Sequence, residues 1–283
     1  MLHTSDLHGE RDAFERLVDE ALAADGQPPF SDQSIVEARA GQRDYLTAVD
    51  DDGALTGAAI ARAADPAEFE LVIAPFYRGA GRGRRALQSL LERYDDEVLT
   101  WAHGDHPAAA RLAASTHLTR IRTLYQLRRP LDDALPDVVA FDRFDPARDA
   151  DEWVALNARV FADHPEQGRI TRSDLDARMA EPWFRSDDLL VARSAMGELV
   201  GYNWLKIEGD VGEIYVLGID AQAAGMGLGR KLTAAGLAHM QSRGCRTAAL
   251  YVDDENERAV RLYRSMGFTD YTTDVQYRRD VRS

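Results

Sequence analysis

Apolar residues in this chain come in two rhythms, alternating runs suited to strands and stretches repeating every three to four residues suited to helices. Near the start, Phe14, Leu17, Val18, Ala21 and Leu22 make the inward stripe of a helix that Ser5 or Asp6 can cap and Asp25-Gly26 ends. Pro28, Pro29 and Phe30 turn the chain into a shorter second helix. Residues 45–49 and 54–61 read as a hairpin about Asp50-Asp51-Asp52-Gly53, residues 69–74 as a third strand, and Leu87, Leu90 and Leu91 as the face of a further helix. Farther along, the pattern predicts a strand around 138–141 and a helix over 149–161 with Trp153, Leu156 and Val160 inward. A helix over 172–180 and strands over 189–194 and 199–207 follow. Between the two helices, His164-Pro165-Glu166-Gln167-Gly168 is too polar and turn-prone for core.

The stretch over 211–232 organises the rest. Ile214, Tyr215, Val216, Leu217 and Ile219 form a strand, Gly225, Gly227 and Gly229 a turn, and Leu228, Leu232, Ala235 and Leu237 a helix. A glycine turn feeding a helix leaves unpaired N–H groups and the positive end of the helix dipole facing outward, which suits a phosphate. The same turn also serves where a helix packs tightly on a strand, and spacing alone does not separate the two. It does exclude a Walker loop, because Gly229 is followed by Arg230 and Lys231, and a dinucleotide fingerprint, because the third glycine is missing.

The plan occurs twice. Gly81 and Gly83 lie 146 positions before Gly227 and Gly229, and Ala54-Leu55-Thr56-Gly57 lies 144 before Glu198-Leu199-Val200-Gly201. Near-constant offsets at two independent markers indicate duplication of a unit of about 140 residues. Two domains follow, 1–134 and 135–283, joined through the polar, proline-bounded segment 130–136. Matching the helix that begins near Asn256 to the one that begins near His106-Pro107 makes Ala113 the counterpart of Tyr263, and the 146-residue offset makes Ala67 that of Glu213, with Glu68 and Glu70 close enough for a small register error to matter.

A formal charge of −14 argues against nucleic acid and against an anionic membrane surface, both of which need a basic face. With one cysteine, Cys245, no intrachain disulfide can form, and its setting suits a small buried thiol. The seven histidines show no metal-ligand spacing, so no metal is expected. No run approaches the roughly eighteen apolar residues of a membrane span, and a cytoplasmic, monomeric protein is expected.

Strand, glycine turn, helix, a strand over 247–252, a helix from Asn256 to Tyr263 and then Met266-Gly267-Phe268 resemble, in this order, the GNAT superfamily of acetyl-CoA-dependent N-acetyltransferases. The family's Q/R-x-x-G-x-G/A motif falls on Ala224, Gly227 and Gly229, with Ala224 departing from Gln or Arg. Arg78-Gly79-Ala80-Gly81-Arg82-Gly83 matches it fully. The resemblance implies two tandem α/β (α+β) domains, each a mixed, mainly antiparallel sheet flanked by helices.

Further blocks resemble the mycothiol synthase family within it: His164-Pro165-Glu166-Gln167-Gly168, Glu181-Pro182-Trp183-Phe184, Trp204-Leu205-Lys206, Gly212-Glu213-Ile214-Tyr215, Leu250-Tyr251-Val252-Asp253 and Asp274-Val275-Gln276-Tyr277. This implies acetyl transfer from acetyl-CoA to the cysteinyl amine of desacetylmycothiol, catalysed by the second domain, with the first a coenzyme binder that has lost its chemistry. Glu213 is the candidate base and Tyr263 the candidate acid. An N–H near Leu217 to Ile219, where Gly218 permits a bulge, is the candidate oxyanion donor.

The implied acceptor contacts are Asp32, Glu166, Lys206, Glu213 and Tyr251, with Asp32 standing where the family has Glu. Coenzyme A is implied on Leu217, Gly218 and Ile219, on Ala224, Gly225, Met226, Gly227, Leu228, Gly229 and Arg230, and on Asn256, Glu257, Arg258, Ala259, Val260 and Arg261. In the first domain it falls on Val72, Ile73 and Ala74 and on Ala80, Gly81, Arg82, Gly83, Arg84 and Arg85. Met226 between the loop glycines and the basic pair Arg84-Arg85 depart from the usual pattern. Two other readings compete, transfer to a different small-molecule or peptide amine and an acetyl-CoA-binding regulator without turnover.

Overall fold

Among the described residues, twelve strands and eight α-helices form two units of α/β structure. The computed structural model describes residues 2–7, 9–94, 97–132, 138–162 and 167–279. The first unit comprises Met1–Tyr125, Asp253–Glu255 and Thr272–Ser283, and the second Gln126–Val252 and Asn256–Tyr271. A single cut near 134 does not describe this division, because the last strand leaves the second unit for the first.

The first unit runs β1 (His3–Ser5), α1 (Arg11–Asp25), α2 (Asp32–Arg39), β2 (Asp44–Val49), β3 (Leu55–Arg62), β4 (Ala67–Ile73), α3 (Arg82–Arg93), β5 (Val98–Ala102) and α4 (Pro107–Ser115). β6 (Thr119–Pro130) begins in this unit and ends in the other. Helix α1 buries Phe14, Leu17 and Ala21 and stops at Gly26, whose left-handed φ of 72° lets its N–H reach the Leu22 carbonyl. Its N-terminus differs from the expectation. The helix begins at Arg11 with no side-chain cap, and Ser5 instead donates to the Glu10 carboxylate, 2.5 Å away.

The second unit runs β7 (Asp142–Arg143), α5 (Pro146–Val160), α6 (Arg172–Met179), β8 (Leu189–Arg193), β9 (Leu199–Glu208), β10 (Val211–Ile219), α7 (Leu228–Ser242), β11 (Thr247–Asp253) and α8 (Glu257–Ser265), and β12 (Thr269–Arg279) starts there. Residues 138–140 are not a strand, and the short β7 follows them. Helix α5 starts before 149 because Asp145 caps it by accepting the Ala147 N–H and Pro146 fits its first turn.

Strand order is β1-β2-β3-β4-β5-β12 in the first unit and β6-β11-β10-β9-β8-β7 in the second. Only β4 with β5 and β10 with β11 are parallel among the registered pairs, so each sheet is mixed and mainly antiparallel. In the second unit Trp153, Leu156, Tyr202 and Trp204 are fully buried on the α5 and α6 side, and Leu232 and Ala235 of α7 pack on the other. Cys245 is buried and unpaired by any disulfide.

The duplication is visible strand by strand. Gly57 lies opposite Ile73 between β3 and β4, as Gly201 lies opposite Ile219 between β9 and β10. Counting back from these pairs exposes one difference. Pairing between β9 and β10 slips between Ile214 and Val216, so Tyr215 is an inserted residue, whereas β3 and β4 pair without a slip. The expected bulge at Gly218 is therefore at Tyr215. Gly218 has a different cause, since a Cβ there would come within 2.5 Å of the Tyr202 ring. The insertion also corrects the counterpart of Glu213. That residue faces Lys206 across the strands, and Glu68 faces Arg62 at the same rung, so the first unit keeps a carboxylate there and Ala67 is not the equivalent position.

Candidate active site

Parallel pairing of β10 with β11 covers Val211 to Ile214 against Thr247 to Leu250 and stops, although β10 continues to Ile219 and β11 to Asp253. The bulge at Tyr215 begins where the pairing ends, which is the expected place for a bulge to turn a strand away from its neighbour. Beyond it, the β11-facing edge of residues 215–219 offers backbone N–H and C=O groups to a ligand rather than to a strand.

The bulge also decides which side chains meet which helix. Before it, Gly212 faces α7, where an added Cβ would strike Met240 within 2.6 Å, and Glu213 points the other way. After it, Val216 packs with Trp153 and Leu156 toward α5, while Leu217 and Ile219 pack with Leu232 of α7. Glu213 and Tyr215 thus share the α5 and α6 face. On that face Tyr215 lies 5.2 Å from Trp183 and 5.6 Å from Trp204, centroid to centroid.

Three of the expected acceptor residues come together here. Lys206 is directly across from Glu213, its ammonium 2.9 Å from Glu208 and 5.8 Å from the Trp183 ring. Tyr251 is half exposed, two residues beyond the Ala249 that pairs with Glu213, and its hydroxyl accepts from Gln126 Nε2 at 2.6 Å. Glu166 lies outside the described residues. Asp32 opens α2 in the first unit, and its side chain lies outside the described residues. Trp183 and Tyr215 were missed as site residues. The Lys206–Trp183 contact crosses 23 positions of sequence and carries no local signal.

On the α7 face, α7 starts from Gly227 at φ 73°, with neither a side-chain cap nor an acidic residue in its first turn. Gly225 also takes a left-handed φ, and Met226 between them is largely exposed. The first-turn N–H groups are left for an anion. Arg230 donates to Ser265 of α8 at 3.0 Å, and Leu262 of α8 lies near Gly229, so α8 sits against this end of α7. Asn256 caps α8 by accepting from Ala259 N–H, and Glu257 pairs with Arg261 at 2.7 Å. Tyr263 is buried against Phe268, 5.8 Å between centroids, and burial alone pushes its phenol well above the usual tyrosine range. It stays protonated at neutral pH.

The first unit repeats the backbone geometry of the α7 side. Pairing of β4 with β5 stops at Glu70 and Trp101 while β4 runs on to Ile73. Helix α3 starts from Gly81 at φ 73°, again without a side-chain cap or a first-turn acid. A cavity of about 450 Å³ opens there, and Val72, Ile73, Gly81, Gly83 and Arg84 line it. The motif's leading Arg78 is already engaged by Asp25, at 2.6 and 2.8 Å, and by the Ile73 carbonyl.

The opposite face of β4 is closed by polar contacts. Glu68 is held by Arg62 at 2.9 Å and Arg43 at 3.2 Å. Glu70 is buried and accepts from Ser31 N–H, Ser31 Oγ and Ser34 Oγ, with His103 Nε2 at 3.7 Å. Burial opposes the Glu70 charge, but His103 and the serines outweigh it and hold the carboxyl below its ordinary range. Burial likewise opposes the imidazolium, yet Asp274, 3.1 Å from Nδ1, and Glu70 raise His103 to about 10. Among the described residues no cluster of His, Cys, Asp or Glu side chains could hold a metal ion, and no helix is long and apolar enough to cross a membrane.

A model of the acetyltransferase (GNAT) family matches residues 11–116 and 153–268. A mycothiol acetyltransferase from Thermobispora bispora is 46% identical over 286 aligned positions, covering 96% of this chain and 96% of that protein. Another from Clavibacter sepedonicus is 47% identical over 274 positions, covering 93% of this chain and 90% of that one. Of solved structures, a GCN5-related N-acetyltransferase from Sphaerobacter thermophilus superposes with a TM-score of 0.80 at 20% identity, covering 100% of this chain and 96% of the other, a likeness of fold.

Proposed function

Since the chain belongs to the mycothiol acetyltransferases of the GNAT family, we propose that its second unit moves acetyl from acetyl-CoA to the cysteinyl amine of desacetylmycothiol. The observation that carries this reading is the gap between β10 and β11, with Glu213 on the α5 and α6 side and Tyr263 on the α7 and α8 side. A thioester lying in that gap meets a carboxylate from one face and a phenol from the other.

The chemistry follows from those groups. Glu213, directly or through a water, takes the proton that the ammonium must lose before nitrogen can attack the thioester carbon. As the C–N bond forms, the carbonyl oxygen becomes an oxyanion, and an edge N–H of residues 217–219 stabilises it. Collapse breaks the C–S bond, and the Tyr263 hydroxyl gives its proton to the departing thiolate. The glycine turn before α7 receives the pyrophosphate on uncapped N–H groups. Lys206, Tyr251 and Glu166 serve as hydrogen-bond partners for the hydroxyl-rich acceptor. The first unit holds a second coenzyme A ester without turnover, since Ala113 stands where Tyr263 does and arginines occupy its strand carboxylate.

The test is loss of thioester absorbance with purified protein, acetyl-CoA and desacetylmycothiol, beside glucosaminyl-inositol lacking the cysteine. Turnover of the first acceptor alone is expected. Turnover of a peptide amine or an aminoglycoside, with desacetylmycothiol inert, refutes the assignment.

A further inference from the structure

The two units differ at the last turn of α4 and its counterpart α8. Tyr263 accepts N–H groups of Met266 and Phe268 on its carbonyl, at 3.0 and 3.1 Å, and Ala113 accepts those of Thr116 and Leu118 in the same way, at 3.1 and 2.9 Å. The backbones correspond residue for residue, so Ala113 replaces Tyr263 and Leu118 replaces Phe268. In the second unit those two rings pack on each other, 5.8 Å between centroids. In the first, both smaller residues line the cavity of about 450 Å³.

The cavity is amphipathic. Its lining joins Gly81, Gly83 and Arg84 at the N-terminus of α3 to Phe69, Leu87, Ala113, Leu118 and Tyr277, all members of the unit's buried core. An acetyl group needs no apolar wall of this extent. We propose that the first unit binds the coenzyme A thioester of an acyl chain longer than acetyl, with the tail against the apolar wall that includes Ala113 and Leu118. This rests on the reading of the first unit as a coenzyme A site and adds the class of acyl group it selects.

Calorimetric titration of the full chain with acetyl-, butyryl- and hexanoyl-CoA tests it. Acetyl-CoA is expected to bind at two sites. Hexanoyl-CoA is expected to bind at one, more tightly than acetyl-CoA does there by about fourfold for each added methylene that is buried. Ala113→Tyr restores the second unit's residue and is expected to reduce that gain to less than about twofold per chain while acetyl-CoA still binds. Leu118→Phe, a smaller intrusion, is expected to cut the gain in part and guards against a misfolded tyrosine variant, as does the melting curve of each. Two acetyl-CoA sites with no preference for the longer chain overturn the inference alone. One acetyl-CoA site with hexanoyl-CoA silent overturns the coenzyme reading of the first unit as well.

Discussion

Gly218→Ala is the substitution for which the structure gives the clearest magnitude. Gly218 lies opposite Tyr202, outside the left-handed region, so only space demands glycine. A Cβ there would stand 2.5 Å from Tyr202 Cε1, 2.6 Å from Cζ and 2.9 Å from the hydroxyl oxygen. Carbon atoms prefer about 3.5–4.0 Å, so something must move by about 1 Å. The tyrosine cannot easily give way. It is fully buried, its ring 5.1 Å from that of Trp153, and its hydroxyl donates to Asn157 Oδ1 at 2.6 Å.

Overpacking of this kind costs about 1–3 kcal/mol, and losing the hydroxyl's bond about 1 more. At about 2–4 °C per kcal/mol, melting should fall by roughly 4–16 °C. If β10 moves instead, the N–H groups of 217–219 shift from where the proposed mechanism needs them, and misplacement by about 1 Å can cost about 100-fold in rate. Melting and acetyl-CoA turnover are measured on Gly218→Ala, Tyr202→Leu and the double variant. Tyr202→Leu makes room for the methyl, so the double variant should turn over faster than Gly218→Ala despite its poorer core. Wild-type melting and kcat in Gly218→Ala refute the steric argument.

Tyr263→Phe should lower kcat by about 10²–10⁴-fold with acetyl-CoA binding retained. A fall of less than about twofold in single-turnover rate would remove the tyrosine from the mechanism. Gly229→Asp and Gly83→Asp place a carboxylate at the two helix N-termini, and each should remove one acetyl-CoA binding event in calorimetry, with turnover lost in the former. Loss of turnover from Glu213→Gln should exceed that from Glu68→Gln, and equal losses would mean that the active unit is misassigned. His103 is raised from 6.5 to about 10, so its contribution to stability is complete below pH 6.5 and disappears as pH rises through about 10. The melting temperature should therefore fall more steeply between neutral and alkaline pH in the wild type than in His103→Asn, and parallel curves would refute this.

What the sequence made legible was local. Glycine turns, the strands before them and the helices after them are carried by neighbouring residues, and duplication shows in the spacing of glycines. Glu213 and Lys206 came only from the family resemblance, and that they face each other across one short turn emerged from the strand register. The bulge escaped because its inserted residue is Tyr215, an ordinary member of an apolar run, while Gly218 drew attention for a reason that belongs to Tyr202. One unseen insertion was enough to shift the first unit's register and hide Glu68. The Ser31, Glu70, His103 and Asp274 network joins residues up to 243 positions apart, and no window along the chain contains it.

On the proposed reading the two units show how transfer is lost while binding persists. Binding needs an uncapped helix N-terminus and a gap between parallel strands, both properties of the backbone, and duplication copied them intact. Transfer needs particular side chains on both faces of the gap. In the first unit Arg43 and Arg62 already hold the Glu68 carboxylate, and Ala113 has no proton to give a thiolate. Glu70, gripped by Ser31, Ser34 and His103, fills the face where an acceptor would enter with bonds that an amine would have to break. Restoring Ala113→Tyr alone should therefore leave the first unit inactive. Turnover should require release of Glu68 by Arg62→Ala and Arg43→Ala as well, measured in a chain silenced by Tyr263→Phe. Activity from Ala113→Tyr alone would mean that the arginines are no barrier and that the acid was the only part missing.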